Sequence, residues 1–378
     1  MDYQKRKQCV ICESDEFVDC FNIINTINIV ENLECTYNDN EVLPLNFIGC
    51  VKCGCVQLYN LYNPELIYNQ KSHYTDSGVW TKHNDCFANF IETNIVYKNE
   101  DILEIGGGSG KLAKSILHKV KCLKGYKILD ISTAHINKNK DIEYIEGNCD
   151  FFDFESINVD TVVMSHVFEH LYEPRTFLNN IKNSKIKEVF ISIPDMENLT
   201  RNGDINNLHI QHTFYVDTNF ISWIFGEYNF ELKNEWNYEN NSAFYHFVKN
   251  DDSLKNKTLD EIKNIKLVET LKNFYSTVKE NVKRLSFVEP FFICPSGFYG
   301  KIIYHYLDPS TKKNVIGFLD SDSSKVNKRL SGTDGIVYNK EYVKSYTNAN
   351  VLLIAEKYNK EIQEDLIGYN NSIQFHFF

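Results

Sequence analysis

Through the middle of the chain, short apolar runs alternate with amphipathic stretches. Asp101-Ile102-Leu103-Glu104-Ile105 reads as a buried strand, Gly106-Gly107-Gly108-Ser109-Gly110 follows at once, and Lys111 to Leu117 has helical apolar spacing. Further strand patterns fall at Tyr126 to Asp130, Ile142 to Ile145, Asp160 to Met164 and Glu188 to Pro194. Strands recurring between helical stretches predict an α/β protein with a doubly wound parallel sheet. Later, Ile262, Ile265, Val268, Leu271, Phe274, Val278, Val282 and Leu285 recur in steps of three and four, which predicts one helix of about seven turns. Phe291 to Cys294, the turn Pro295-Ser296-Gly297-Phe298-Tyr299-Gly300-Lys301, Val315 to Asp320 and Val351 to Ala355 repeat the strand, glycine turn and helix order in a smaller unit.

The first seventy residues follow another pattern. Cys9-Val10-Ile11-Cys12 and Cys50-Val51-Lys52-Cys53 are two knuckles, each aiming two thiolates at one ion about 2.3 Å away. Four thiolates close the shell and leave no open position, so Cys9, Cys12, Cys50 and Cys53 point to a structural zinc. Cys55 can stand in as a ligand or sit beside the site. Free buried thiols are the plain alternative, and a DNA-binding zinc ribbon is another. The 37 residues between the knuckles exceed the ribbon spacing of about 15–20.

Composition narrows the partners. With 40 Lys and Arg against 51 Asp and Glu, the formal charge is −11, which disfavours a nucleic-acid partner. A 43% apolar share supports real cores, and no run of 18 apolar residues suggests a membrane span. The polar opening residues and the paired cysteines read as a cytoplasmic protein.

The chemistry gathers at the carboxyl ends of the predicted strands, where open α/β sheets bind ligands. The Gly106–Gly110 turn lets a ligand approach backbone amides closely. Asp130 ends the second strand, 26 residues after Glu104, where a carboxylate can accept ribose hydroxyls. Gly147-Asn148 follows the third strand, and Ser165-His166-Val167-Phe168-Glu169-His170-Leu171 follows the fourth. This order resembles the class I S-adenosylmethionine-dependent methyltransferases. A dinucleotide-binding unit would place a third glycine at Lys111. The resemblance implies that Glu104, Gly106, Gly107, Gly108, Ser109, Gly110, Asp130, Asn148, Ser165 and His166 surround the cofactor.

Pro44 to Gly49 before Cys50, with Val56-Gln57-Leu58 after Cys55, is similar to the amino-terminal zinc domain of the sugar C-methyltransferases. These enzymes act on nucleotide-linked keto-deoxysugars. The resemblance implies a zinc module over 1–70, a methyltransferase domain over 71–250, and a helix with a Rossmann-like substrate domain over 251–378. His73-Tyr74-Thr75-Asp76-Ser77-Gly78 resembles the family's Tyr-x-x-Ser segment, placing Tyr74 at the active site and Ser77 near the cofactor's methionine end. Without that resemblance Tyr74 reads as an aromatic hinge. Leu208-His209-Ile210-Gln211-His212-Thr213-Phe214-Tyr215 matches the family's Tyr-His-Glu-His-x-x-Tyr segment, putting His212 on the proposed base and Tyr215 at the substrate. His170 and Gln211 would orient the sugar.

The chain departs from the family here, because Gln211 stands for the glutamate and His209 for the tyrosine. Carbon methylation needs a base to remove the proton beside a ketone, and an imidazole with an unperturbed pKa near 6.5 suits that work. Oxygen or nitrogen methylation needs mainly positioning and one proton acceptor. A glutamine cannot take a proton, so its presence keeps O- and N-methylation open beside C-methylation. In the last third, the resemblance makes Gly297, Gly300 and Lys301 contacts for a nucleotide diphosphate, against a purely structural role. The expected cofactors are S-adenosylmethionine and structural zinc. The expected substrate is a nucleotide sugar, and the expected state is a monomer or homodimer. A zinc-ribbon regulator and a non-catalytic scaffold are the rival classes.

Overall fold

The amino-terminal strands are β1 (Tyr3–Lys5), β2 (Phe17–Thr26), β3 (Val30–Glu31), β4 (Val42–Cys50), β5 (Val56–Leu58) and β6 (Asn60–Tyr62). The middle of the chain supplies β7 (Asp101–Ile105), β8 (Gly125–Asp130), β9 (Glu143–Glu146), β10 (Thr161–Ser165), β11 (Glu188–Pro194), β12 (Phe214–Tyr215), β13 (Phe230–Tyr238) and β14 (Ser242–Lys249). The last third adds β15 (Phe291–Cys294), β16 (Val315–Asp320), β17 (Arg329–Leu330), β18 (Val337–Asn339), β19 (Asn350–Leu353) and β20 (Gln374–Phe377). This computed structural model describes residues 3–26, 30–31, 42–68, 78–97, 101–108, 110–121, 123–133, 139–196, 208–239, 242–250, 258–355 and 358–378.

A seven-stranded sheet in the order β13-β14-β11-β10-β7-β8-β9 forms the centre. The run from β11 to β9 is parallel, and β14 and β13 add antiparallel strands at one side. The parallel strands are buried on both faces, which is why they read as near-continuous apolar runs. Helices Gly78–Asn94 and Lys111–Lys119 share one apolar cluster against the sheet through Phe87, Ile91, Leu112 and Ile116. The strand order reverses between β7 and β10, and the crevice at their carboxyl ends is where such sheets bind ligands. A smaller all-parallel sheet, β18-β16-β15-β19-β20, repeats the doubly wound plan. The α/β class and the class I frame are thus as the sequence pattern implies.

The domains interlock more than the pattern along the chain suggests. The four-stranded sheet β12-β5-β4-β2 takes β12 from within the 71–250 segment, pairing Phe214 with Gln57 and Tyr215 with Val56. β3 pairs with β17, joining the amino-terminal part to the last third. Cys9, Cys50, Cys53 and Cys55 share one buried cluster with Phe168, Phe214 and Phe220.

The predicted seven-turn helix is a correction. It breaks at Lys263-Asn264 into Leu259–Ile262 and Ile265–Arg284. Asn264 caps the longer piece by accepting from Leu267 N at 3.2 Å. Its own amide donates to Cys53 O at 2.9 Å. Gly54 lies against this break at φ +86, where an added Cβ would stand 2.3 Å from Asn264 O. The apolar spacing runs on through the break although Leu259 and Ile262 pack with the cluster around the cysteines and Leu267 to Val282 with the one around Phe21 and Leu45, so spacing alone does not reveal it. Among the described residues, no helix is long and apolar enough to cross a membrane.

Candidate functional site

β7, β8 and β10 end around one cavity of about 390 Å³. Its wall includes Glu104, Gly106, Gly107, Gly108, Asp130, Asn148, Ser165, His166, His170, His209, Gln211 and His212. The turn is built for close approach. Gly106, Gly108 and Gly110 have φ of +72, +52 and +71, which only glycine takes without strain. Asp130 ties the turn to β8, its carboxylate accepting from Gly108 N at 3.3 Å and Ser132 N at 3.2 Å. Burial pushes the Asp130 pKa upward. Glu104 accepts from Tyr126 Oη at 2.7 Å, and burial raises its pKa to about 8.

Across the cavity, β10 ends in Ser165 and then His166, whose φ of +53 is uncommon for a residue with a side chain. Its amide donates to Ser192 O at 2.8 Å, and its Nε2 lies 3.1 Å from Ser242 Oγ. Burial lowers the His166 pKa to about 4, so this imidazole is neutral near neutrality. Trp80, from helix Gly78–Asn94, meets His166 edge-on at 5.0 Å between ring centroids.

The second histidine group arrives on the segment before β12. His209 and His212 have ring centroids 3.9 Å apart, and His170 lies 5.1 Å from His212. Thr213 anchors this segment, donating its amide to Glu169 O at 2.9 Å and its hydroxyl to Leu171 O at 2.5 Å. Tyr215 is buried beneath it, against Phe47 at 5.7 Å. Burial raises the Tyr215 pKa, opposed by a hydrogen bond to the His209 backbone. Tyr215 therefore braces the turn from inside the core. Leu58 N donates to Thr213 O at 2.9 Å, so the amino-terminal sheet holds the histidine segment in place.

The four thiolates converge. Cys9 and Cys53 Sγ are 3.6 Å apart, and Cys12 and Cys50 Sγ are 3.5 Å apart. Four sulfurs about 2.3 Å from a tetrahedral zinc are about 3.8 Å from one another, so the set fits that ion. Cys55 lies outside this group, its Sγ 3.6 Å from Tyr215 O.

Tyr74, Ser77 and Ser109 lie outside the described residues. Gly297 has open space where a side chain would stand, whereas Gly300 lies under Pro295 O and Phe318 at 3.3 and 3.5 Å. Lys301 is buried. Phe298 meets His209 at 6.5 Å, which brings the last third to the cavity.

Sequence reasoning missed several wall residues: Tyr68, Trp80, Asn84, Asp150 and Tyr172. It also missed Glu169, whose acid borders His166, His170 and His212. Burial raises the Glu169 pKa to about 7, with His170 pulling the other way. Asp150 follows Asn148 in the same loop and accepts from Tyr172 N at 3.0 Å, so proximity to Gly147-Asn148 was a usable signal.

A doubly wound sheet with a glycine turn and a strand-end acid at its switch point is a frame that binds a nucleotide-like ligand. Residues 103–184 match the family model described as a methyltransferase domain. With that match on this frame and cavity, the chain is an S-adenosylmethionine-dependent methyltransferase. Similar solved structures include a chain of the complex between the Haloferax volcanii Trm112 methyltransferase activator and the putative methyltransferase. That chain has 14% identity and a TM-score of 0.38, over 45% of this chain and 94% of that one. Magnesium protoporphyrin IX methyltransferase from Synechocystis PCC 6803, with bound S-adenosylhomocysteine, has 14% identity and a TM-score of 0.35, over 45% of this chain and 83% of that one. The Burkholderia thailandensis 1,6-didemethyltoxoflavin-N1-methyltransferase has 11% identity and a TM-score of 0.37, over 46% of this chain and 82% of that one. At these identities none of them bears on substrate. No curated protein matches the chain.

Proposed function

We propose that this methyltransferase acts on a nucleotide-linked sugar, and that it methylates carbon beside a ketone through an enolate. The observation that carries the reading is the meeting, in one cavity, of the glycine turn and Asp130 with the imidazoles of His170, His209 and His212. Asp130 accepts the ribose hydroxyls of S-adenosylmethionine, the glycine turn admits its carboxypropyl end, and Ser165 and His166 border the methionine. The cofactor supplies an electrophilic methyl group on sulfur. The proton beside the ketone passes to an imidazole of the His209–His212 segment, where the family resemblance favours His212. Gln211, His170 and Tyr74 orient the sugar.

The open face at Gly297, near the Phe298 contact with His209, supports a substrate running from the cavity to the last third, with Lys301 and Gly300 behind it. The four-cysteine cluster holds zinc in a structural role. The paired thiolates fit a reducing cytoplasm.

Methylation of a sugar oxygen or nitrogen is the second reading, favoured by Gln211 in place of an acid. Incubating the enzyme with a nucleotide ketosugar in deuterated water separates the two. Exchange at carbon that depends on His209 or His212 supports the enolate, and methyl transfer without any exchange refutes it.

A further inference from the structure

The Glu169 carboxylate has no task in methyl transfer as described so far. Its side chain is only 5% exposed, and among the described residues neither buried oxygen has a hydrogen-bond partner. They face imidazole nitrogens instead. His212 Nε2 is 3.8 Å from Oε1, and His170 Nε2 is 4.0 Å away. His166 Nδ1 is nearer still, 3.3 Å from Oε1, yet an ionised carboxylate buried among these groups is costly unless a positive charge meets it.

We propose that Glu169, His170 and His212 bind a divalent first-row cation, zinc or a close neighbour, in the wall of the cavity. Their ligand atoms all lie within 4.8 Å of one another. Two imidazoles and a carboxylate are a donor set that catalytic sites use with a position left open. Ligand atoms around a tetrahedral zinc are about 3.4 Å apart, so the two gaps from Glu169 to the imidazoles are wide of that by about half an ångström. His170 is already oriented for the task, because its Nδ1 lies 3.0 Å from Tyr68 Oη. With Nδ1 donating there, Nε2 keeps its lone pair for the ion. Thr213 binds the two ligand segments together through its bonds to Glu169 O and Leu171 O. Because His170 and His212 line the cavity, the open position faces the substrate.

The inference rests on the cavity being the seat of methyl transfer, and it sharpens that reading. The cation receives a ketone or hydroxyl oxygen of the substrate, and with His212 taken up as a ligand the proton-accepting role favoured for it above passes to His209. This site differs in kind from the four-thiolate cluster, which prefers softer coordination.

The test counts metal. Full-length protein is dialysed against cobalt(II), freed of loose ion, and analysed for zinc plus cobalt, with S-adenosylhomocysteine binding followed by calorimetry. Two ions per chain are expected in the wild type and one in Glu169→Gln and in His170→Asn, all three binding S-adenosylhomocysteine. The wild-type cobalt spectrum should show ligand-field bands without added thiolate charge transfer. One ion per chain in the wild type overturns the cation site and leaves the methyltransferase reading standing, as does an unchanged count of two in both variants. Failure of the wild type to bind S-adenosylhomocysteine would strike the methyltransferase reading instead.

Discussion

Removing the zinc proposed for the four-cysteine cluster should loosen the histidine segment while sparing the cofactor crevice. The perturbation is Cys53→Ser, or chelation of the native protein. Structural zinc contributes on the order of 10 kcal/mol to small modules, comparable to the whole stability of a domain, so the knuckles should not survive its loss. β5 begins just after Cys53 and Cys55, and β12 hangs on β5 through the Val56 and Gln57 pairings and Leu58 N to Thr213 O. About three backbone bonds at about 1 kcal/mol each give a seam worth about 3 kcal/mol, or about a 100-fold change in local opening. Amide hydrogen exchange along Val56–Leu58 and Phe214–Tyr215 should therefore quicken about 100-fold, while β7, β8 and β10 change little. Unchanged protection at Phe214–Tyr215 in protein shown to be metal-free would refute the reasoning.

Three other outcomes follow from the geometry. Gly106→Ala should destabilise by about 2–5 kcal/mol in urea unfolding, since its φ is +72 and the new Cβ would lie 2.4 Å from Val167 Cγ2. Gly54→Ala should cost a similar amount, about 2–5 kcal/mol, by pushing Asn264 off the knuckle. Glu104 holds a proton more tightly folded than unfolded, so its contribution is fullest below its ordinary value and fades as pH rises through about 8. Wild-type unfolding free energy should fall between pH 5 and pH 8, and Glu104→Gln should flatten that slope; an unchanged slope in the variant would count against the assignment.

The strands of the central sheet were legible because parallel strands covered on both faces are apolar throughout. The glycine turn and the cysteine knuckles were legible because their backbone and ligand demands leave few residue choices. The placement of β12 was not. A two-residue strand has no periodicity to read, and its partner lies over 150 residues earlier in the chain. Glu169 was hidden for a related reason. It sits in the quoted Phe168–Leu171 segment, but its significance comes from His212, which only the tertiary fold brings alongside. The helix break at Asn264 depends on contacts with Cys53 and Asp217, again remote in sequence.

The central claim is that the cavity behind Gly106–Gly110 holds S-adenosylmethionine through Asp130. Calorimetric titration of S-adenosylhomocysteine into the wild type and Asp130→Ala tests it most directly. Two charge-assisted bonds at about 1.5–3 kcal/mol each predict one-to-one binding by the wild type and at least about 100-fold weaker binding by the variant. Equal affinity in the two proteins, or no heat of binding in the wild type, would contradict the account.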